Sequence, residues 1–190
     1  MRNLLFHSLL ILIASFFVGG KSLQRGGNIQ LTAEELKLYH LIIAYRAENG
    51  LPSIPLSVSL TEVAQLHARD LEINRPDLDG CSMHSWSGKG KWQSCCYTPD
   101  HAQKQCMWNK PRELTSYTGN GFEIAAQKSD LIGAKDALAL WKGSENHNNV
   151  ILNKGVYNRK WNAIGIGIYK NYSLIWFGHE VDNSGAPGKP

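Results

Sequence analysis

After residue 20 the chain has no long apolar run, no cysteine outside residues 81–106, no dense cluster of basic side chains and no G-x-S-x-G pentapeptide. Each absence removes a class of function. A membrane-spanning helix needs about 18 or more apolar residues, whereas the apolar stretch from Leu9 to Val18 has ten. The sequence therefore does not read as an integral membrane protein. The net charge of +4 is scattered, with Lys89 and Lys91 the only local basic spot. A nucleic-acid binder concentrates its basic residues on one face with interleaved aromatics, so no nucleic-acid partner is expected. Without a glycine-flanked serine there is no nucleophile elbow.

What stands at the N-terminus reads as an export signal. Arg2 precedes the apolar run, and Gly19, Gly20 and Ser22 follow it. That order of charge, apolar core and small residues is the pattern of a secretory signal peptide. A cut after Gly20, or alternatively after Ser22, leaves about 170 residues, enough for one domain with its own core. The expected location is secreted or periplasmic. In such an oxidising compartment the even, clustered set Cys81, Cys95, Cys96 and Cys106 reads as two disulfides. A bond between the adjacent Cys95 and Cys96 would strain their peptide, which leaves Cys81 joined to one of the pair and Cys106 to the other. The competing reading, a zinc knot that includes His101, lacks paired C-x-x-C spacing and is disfavoured by export.

Along the rest of the chain the hydrophobic period changes several times. Thr32-Ala33-Glu34-Glu35 is a capping box, and Leu36, Tyr39, Ile43 and Ala47 follow at helical spacing until Asn49-Gly50. A second helix starts near Ser59, continues through Val63, Ala64, Leu66 and Leu71, and ends at Pro76. Residues 77–121, rich in Gly, Pro, Cys and Trp, show no period and read as one long irregular segment. A helix is expected from about residue 130 to 141 and a short one over 144–152. Two strands, 162–169 and 172–177, then meet at a tight turn, Lys170-Asn171. Helices on either side of a small, mainly antiparallel sheet bury these faces most simply, an α+β arrangement.

Three titratable groups stand out by their surroundings: His84 in Met83-His84-Ser85-Trp86, Glu123 in Gly121-Phe122-Glu123-Ile124-Ala125, and His147 after Ser144-Glu145-Asn146. Two imidazoles and a carboxylate suit a divalent cation or an acid–base set acting on water. No two of them share a helix face as in H-E-x-x-H, so spacing does not unite them. His67 reads as a packed or surface residue of the second helix, and His101 as an exposed part of the cysteine loop. His179 and Glu180 point to opposite faces of a strand. Trp86, Trp92 and Trp108 read as the small core of the cysteine loop, and Gly165-Ile166-Gly167 as a strand with close backbone packing.

Four blocks in order, Ala64-Gln65-Leu66-His67-Ala68, His84-Ser85, Gly121-Phe122-Glu123-Ile124-Ala125, and Trp141 followed by Ser144, His147, Asn149, Ile151 and Leu152, resemble the CAP superfamily of cysteine-rich secretory, antigen-five and pathogenesis-related (SCP-like) proteins. The last block is similar to the bacterial branch. The resemblance covers roughly residues 32–180 and implies a three-layer α-β-α sandwich with a central cleft lined by two histidines and two acidic residues. His84, Glu123 and His147 match three of those places. The fourth, a Glu three residues after the Trp in the animal and plant branches, is Ser144 here, with Glu145 adjacent. The chain then divides into a signal peptide at 1–20, a polar lead-in at 21–31, a CAP domain at 32–182 and a flexible tail at 183–190. A cysteine-rich insertion at 81–106 lies outside the common core. The implied function is a secreted binding module for a small molecule, lipid, peptide or glycan. A zinc or magnesium ion between His84 and His147 is the candidate cofactor, though not a required one. The alternative is a metal-assisted, peptidase-like hydrolase with Glu123 as general base.

Overall fold

The computed structural model describes residues 29–190; the signal peptide expected at 1–20 and most of the lead-in lie outside them. Helix α1 (Ala33–Glu48) opens on the expected capping box, the Glu35 carboxylate accepting from the Thr32 N–H at 2.7 Å. Its buried stripe, however, is Glu35, Leu38, Ile42 and Arg46 rather than Leu36, Tyr39, Ile43 and Ala47. The face rotates because two charged side chains find partners inside. Glu35 accepts from the Gln65 side chain and from the Ile168 N–H, and Arg46 donates to the Ile151 carbonyl and to Asn153. A buried charge is tolerated only with such partners.

Helix α2 (Val58–Asn74) starts from Ser57, whose hydroxyl accepts from the Leu60 N–H at 2.9 Å, and stops at Arg75 with φ at +50°. Residues 77–121, expected to be irregular throughout, contain helix α3 (Lys104–Leu114). Pro111 in its last turn and the lack of a capping side chain are why no helical signal is legible there. Tertiary contacts hold it instead: Met107, Lys110 and Pro111 are buried, and the Cys95–Cys106 disulfide ties it to the preceding loop. The second disulfide is Cys81–Cys96.

Strands β1 (Gly121–Gln127), β2 (Ala163–Tyr169) and β3 (Tyr172–Gly178) form an antiparallel sheet in the order β1-β3-β2. The last two were legible as a hairpin; β1 was not. Helices α4 (Ala134–Gly143) and α5 (Glu145–Ile151) and a 3-10 turn (Gly155–Tyr157) lie between β1 and β2. Side chains alternate across the sheet. Ile124, Ile164, Ile166, Ile175 and Phe177 join Leu38, Ile42, Trp141 and Ile151 in a core beneath α1, α4 and α5. Trp176 and Leu174 face α2, as does Glu123, which is opposite Trp176 in the ladder. Helices thus cover both faces, an α-β-α sandwich of the α+β class.

Helix α2 lies close on β2 through Gly165 and Gly167, where a Cβ would come within 2.0 Å of the Leu60 carbonyl carbon and 2.3 Å of that of Ala64. That contact sets the helix height and carries His67, three residues beyond Ala64, over the sheet. Residues 183–190 are docked rather than free. Val58 N–H donates to the Gly185 carbonyl, Leu31 N–H to that of Gly188, and Gly188 N–H to that of Ile29. No helix among the described residues is long and apolar enough to cross a membrane.

Candidate functional site

A cavity of about 530 Å³ opens at the β1 edge of the sheet, between the cysteine-stapled loop with α3 on one side and α5 with the 3-10 turn on the other. His84, Glu123 and His147 all line it, although 63 positions separate the two histidines in sequence.

Glu123 is the hub. Its Oε1 accepts from His84 Nδ1 at 2.8 Å and its Oε2 from His67 Nδ1 at 2.5 Å, and its side chain has no exposure. Burial alone would raise its pKa, but the charge and hydrogen bond of His67, reinforced by those of His84, hold it below the usual carboxylate value. An ionised Glu123 requires both imidazoles to donate. His67 Nε2 also faces an acceptor, the Ser85 carbonyl at 2.8 Å. His67 is thereby held at both ring nitrogens, between the Glu123 carboxylate and the Ser85 carbonyl. Trp86 stacks on its ring at 4.1 Å and fixes the ring plane. His84 is thereby fixed with hydrogen on Nδ1, leaving Nε2 as its free nitrogen.

Local structure explains why His84 is where it is. Ser82 N–H donates to the Tyr97 carbonyl, Ser85 N–H to the Ser82 carbonyl, and Trp86 exchanges backbone bonds with Cys95. The Ser85 hydroxyl accepts from the Tyr97 N–H at 2.8 Å. With Cys81–Cys96 across its base, the tripeptide around His84 is pinned at both ends.

On the opposite wall, α5 presents Asn146, His147, Asn149 and Val150 to the cavity. His147 has no hydrogen-bond partner among the described residues. Burial, with the charge of His84 adding to it, pushes its pKa below the ordinary imidazole value. Of the two candidates for the fourth cleft place, Glu145 is exposed and does not line the cavity, and neither does Ser144, which is the N-cap of α5. At about 100° per residue, side chains two positions apart on a helix diverge by about 200°, so Glu145 and His147 cannot share a face. Asn146 stands on the rim in place of an acid.

His67 was not among the site residues the sequence suggested. A signal existed: Leu60, Val63, Ala64, His67, Ala68 and Leu71 are all buried on one helical stripe, and a histidine in such a stripe must find hydrogen-bond partners. His101 and Trp108, read as loop residues, also line the cavity. Trp86, Trp92 and Trp108 all pack in the apolar cluster around that loop, which they share with Leu60 and Trp176.

The donor set does not fit a resident cation. Both Glu123 oxygens are engaged by imidazoles, leaving His84 and His147 as two ligands where sites with open positions carry three from the protein. Among the described residues no group of three His, Cys, Asp or Glu side chains has metal-holding geometry.

No family model and no curated protein matches the sequence. Solved structures do. The chain is similar to an extracellular SCP-domain protein from Bacillus anthracis at 18% identity and TM-score 0.53, over 77% of this chain and 40% of that one. It is also similar to an outer surface protein of Borrelia burgdorferi at 18% identity and TM-score 0.51, over 78% of this chain and 94% of that one. The chain therefore spans well under half of the Bacillus protein, and at these identities the likeness establishes a shared fold.

Proposed function

We propose, on the premise of this SCP-type (CAP superfamily) fold, that the chain is an exported ligand-binding module whose ligand occupies the cavity between His84 and His147. The observation that carries this reading is the state of Glu123. Its oxygens are both held by imidazoles and its side chain is fully buried, so it orients His84 rather than acting on a substrate. The cavity volume falls within the few-hundred to 1,000 Å³ typical of small-ligand sites. Aromatic and aliphatic walls from Trp108, Phe122, Ile124 and Val150 surround a few polar groups, which is how such sites are composed. The signal-like N-terminus and the two disulfides support export.

No cation is required in this reading. Titrating the mature protein with indole, a neutral aromatic probe, should shift the imidazole resonances of both His84 and His147. If neither moves with millimolar indole or with charged or neutral octyl amphiphiles, the cavity is not a ligand site. In calorimetry at neutral pH, zinc should bind no tighter than millimolar; submicromolar affinity would restore the metal.

A hydrolytic reading survives in altered form. A buried carboxylate holding one imidazole nitrogen while the other faces a cavity is the arrangement of a histidine general base. The base would then be His84, not Glu123. Hydrolysis of a peptide or ester library that disappears in His84→Ala while that variant keeps its fold would favour it over simple binding.

A further inference from the structure

The resemblance implied a cleft with two histidines and two acids, a lining suited to a cation. The charges here run the other way. The fourth acidic place is vacant, since Glu145 points outward and Asn146 faces the cavity. The single carboxylate lining the cavity, Glu123, has a fully buried side chain with its two oxygens hydrogen-bonded to His67 and His84, so neither oxygen is left to face a ligand. Lys104 and Lys154 stand on opposite sides of the opening, both exposed and both lining the cavity. Neither has an ion-pair partner among the described residues, and Lys104 lies 5.5 Å from the Trp108 ring centroid. Between them the walls are apolar, from Met107, Trp108 and Phe122 on one side to Val156 of the 3-10 turn on the other. Val156 is 89% exposed, an apolar side chain left at the rim with nothing to cover it. The cavity of about 530 Å³ falls within the few-hundred to 1,000 Å³ typical of small-ligand sites.

We infer that the cavity is selective for a small anionic amphiphile, a carboxylate or phosphate monoester on an apolar body, with the anion between Lys104 and Lys154 and the body against the Trp108–Phe122 wall. This rests on the cavity being the ligand site, and it adds the class of ligand. The two lysines attract the anion through a low-dielectric opening, and the apolar walls supply affinity by desolvation.

The test compares octyl phosphate and octanoate with octyl glucoside and octyltrimethylammonium on the mature protein, read by calorimetry and by the imidazole resonances of His84 and His147. The phosphate should bind at least about tenfold more tightly than the neutral and cationic probes, as one charge-assisted contact allows. Its advantage should shrink as salt rises from 20 to about 500 mM. Lys104→Gln and Lys154→Gln, both surface changes that leave the core intact, should each erode the preference several-fold, and Lys104→Glu should reverse it. Comparable loss with phosphate and carboxylate would show that charge is what is recognised; loss confined to phosphate would narrow the class to monoesters. Equal binding of the neutral octyl probe, with lysine variants silent, would overturn the anion preference while leaving the cavity a ligand site. Failure of every octyl probe and of indole to move either imidazole would overturn both.

Discussion

On one wall of the cavity His84 has no freedom left. Its Nδ1 is tied to Glu123, Glu123 is tied to His67, His67 is tied to the Ser85 carbonyl, and two disulfides brace the loop that carries it. On the other wall His147 projects from a seven-residue helix and has no hydrogen-bond partner among the described residues. Only the base of that helix is fastened, by Arg46 at the Ile151 carbonyl, by the Tyr45 hydroxyl donating to Asn148 at 3.0 Å, and by Trp161 Nε1 donating to the Val150 carbonyl at 2.9 Å. One wall is preorganised through a closed polar network; the other can adjust its imidazole to what arrives. A network in a low-dielectric interior is strong while complete and costly once broken, so damage to the two walls should differ in kind.

The sharpest break in that comparison is His67→Ala. It strands one oxygen of the buried, ionised Glu123, and removing one partner of a buried charge costs about 3–5 kcal/mol. Urea denaturation should show a loss of that order, and a loss below about 1 kcal/mol would mean that the carboxylate carries no charge. Next comes removal of the Cys95–Cys106 bond by a double serine substitution. It closes a short loop of 11 residues, so a loss of about 3 kcal/mol is expected, together with release of the α3 wall, visible as faster amide exchange over Met107 and Trp108. Unchanged exchange there would show that packing alone holds the helix.

Acid should sharpen the contrast. The Glu123 pKa is lowered in the folded protein, so its stabilisation is present above about pH 4.5, the unfolded carboxylate range, and is lost as pH falls through the folded value. The His147 pKa is also lowered. The unfolded chain therefore takes up that proton first, and stability begins to fall once pH drops below about 6.5. Thermal melts from pH 8 to 3 should show a shallow decline below about 6.5 and a steeper one in the carboxylate range. His147→Ala should be the mildest change, within about 0.5–1 kcal/mol at neutral pH, and it should remove the shallow decline while leaving the steep one. If His147→Ala abolished the steep limb instead, the assignment of the two walls would be reversed.

Legibility in the sequence followed the range of the interactions responsible. The capping box at Thr32 and Glu35, the Ser144–Ile151 turn of helix and the final hairpin are all local, and each was visible as a pattern within a few residues. Helix α3 was hidden because Pro111 breaks the local signal while a disulfide and buried side chains supply what propensity does not. Strand β1 was hidden because its run of burial from Ile124 to Ala126 shows no polar alternation; a strand covered on both faces reads like any short apolar stretch. The buried face of α1 was misplaced because Glu35 and Arg46 look like surface residues until partners more than 100 positions away are in place.

By itself the sequence determined the α+β class, the two helices and the hairpin that frame the domain, the disulfide chemistry of the 81–106 region, and the three residues His84, Glu123 and His147 as a set worth bringing together. The first three follow from period, capping and composition, which a chain carries wherever it goes; the last came from the resemblance to the CAP superfamily, since spacing does not unite those residues. Only the tertiary structure decided that His67 completes the set, that Glu145 does not, and that Glu123 faces two imidazoles instead of the cavity water. Those outcomes depend on how α2 lies across Gly165 and Gly167 and on the phase of α5. A contact between residues 56 positions apart has no local pattern to announce it, because only packing brings its two ends together.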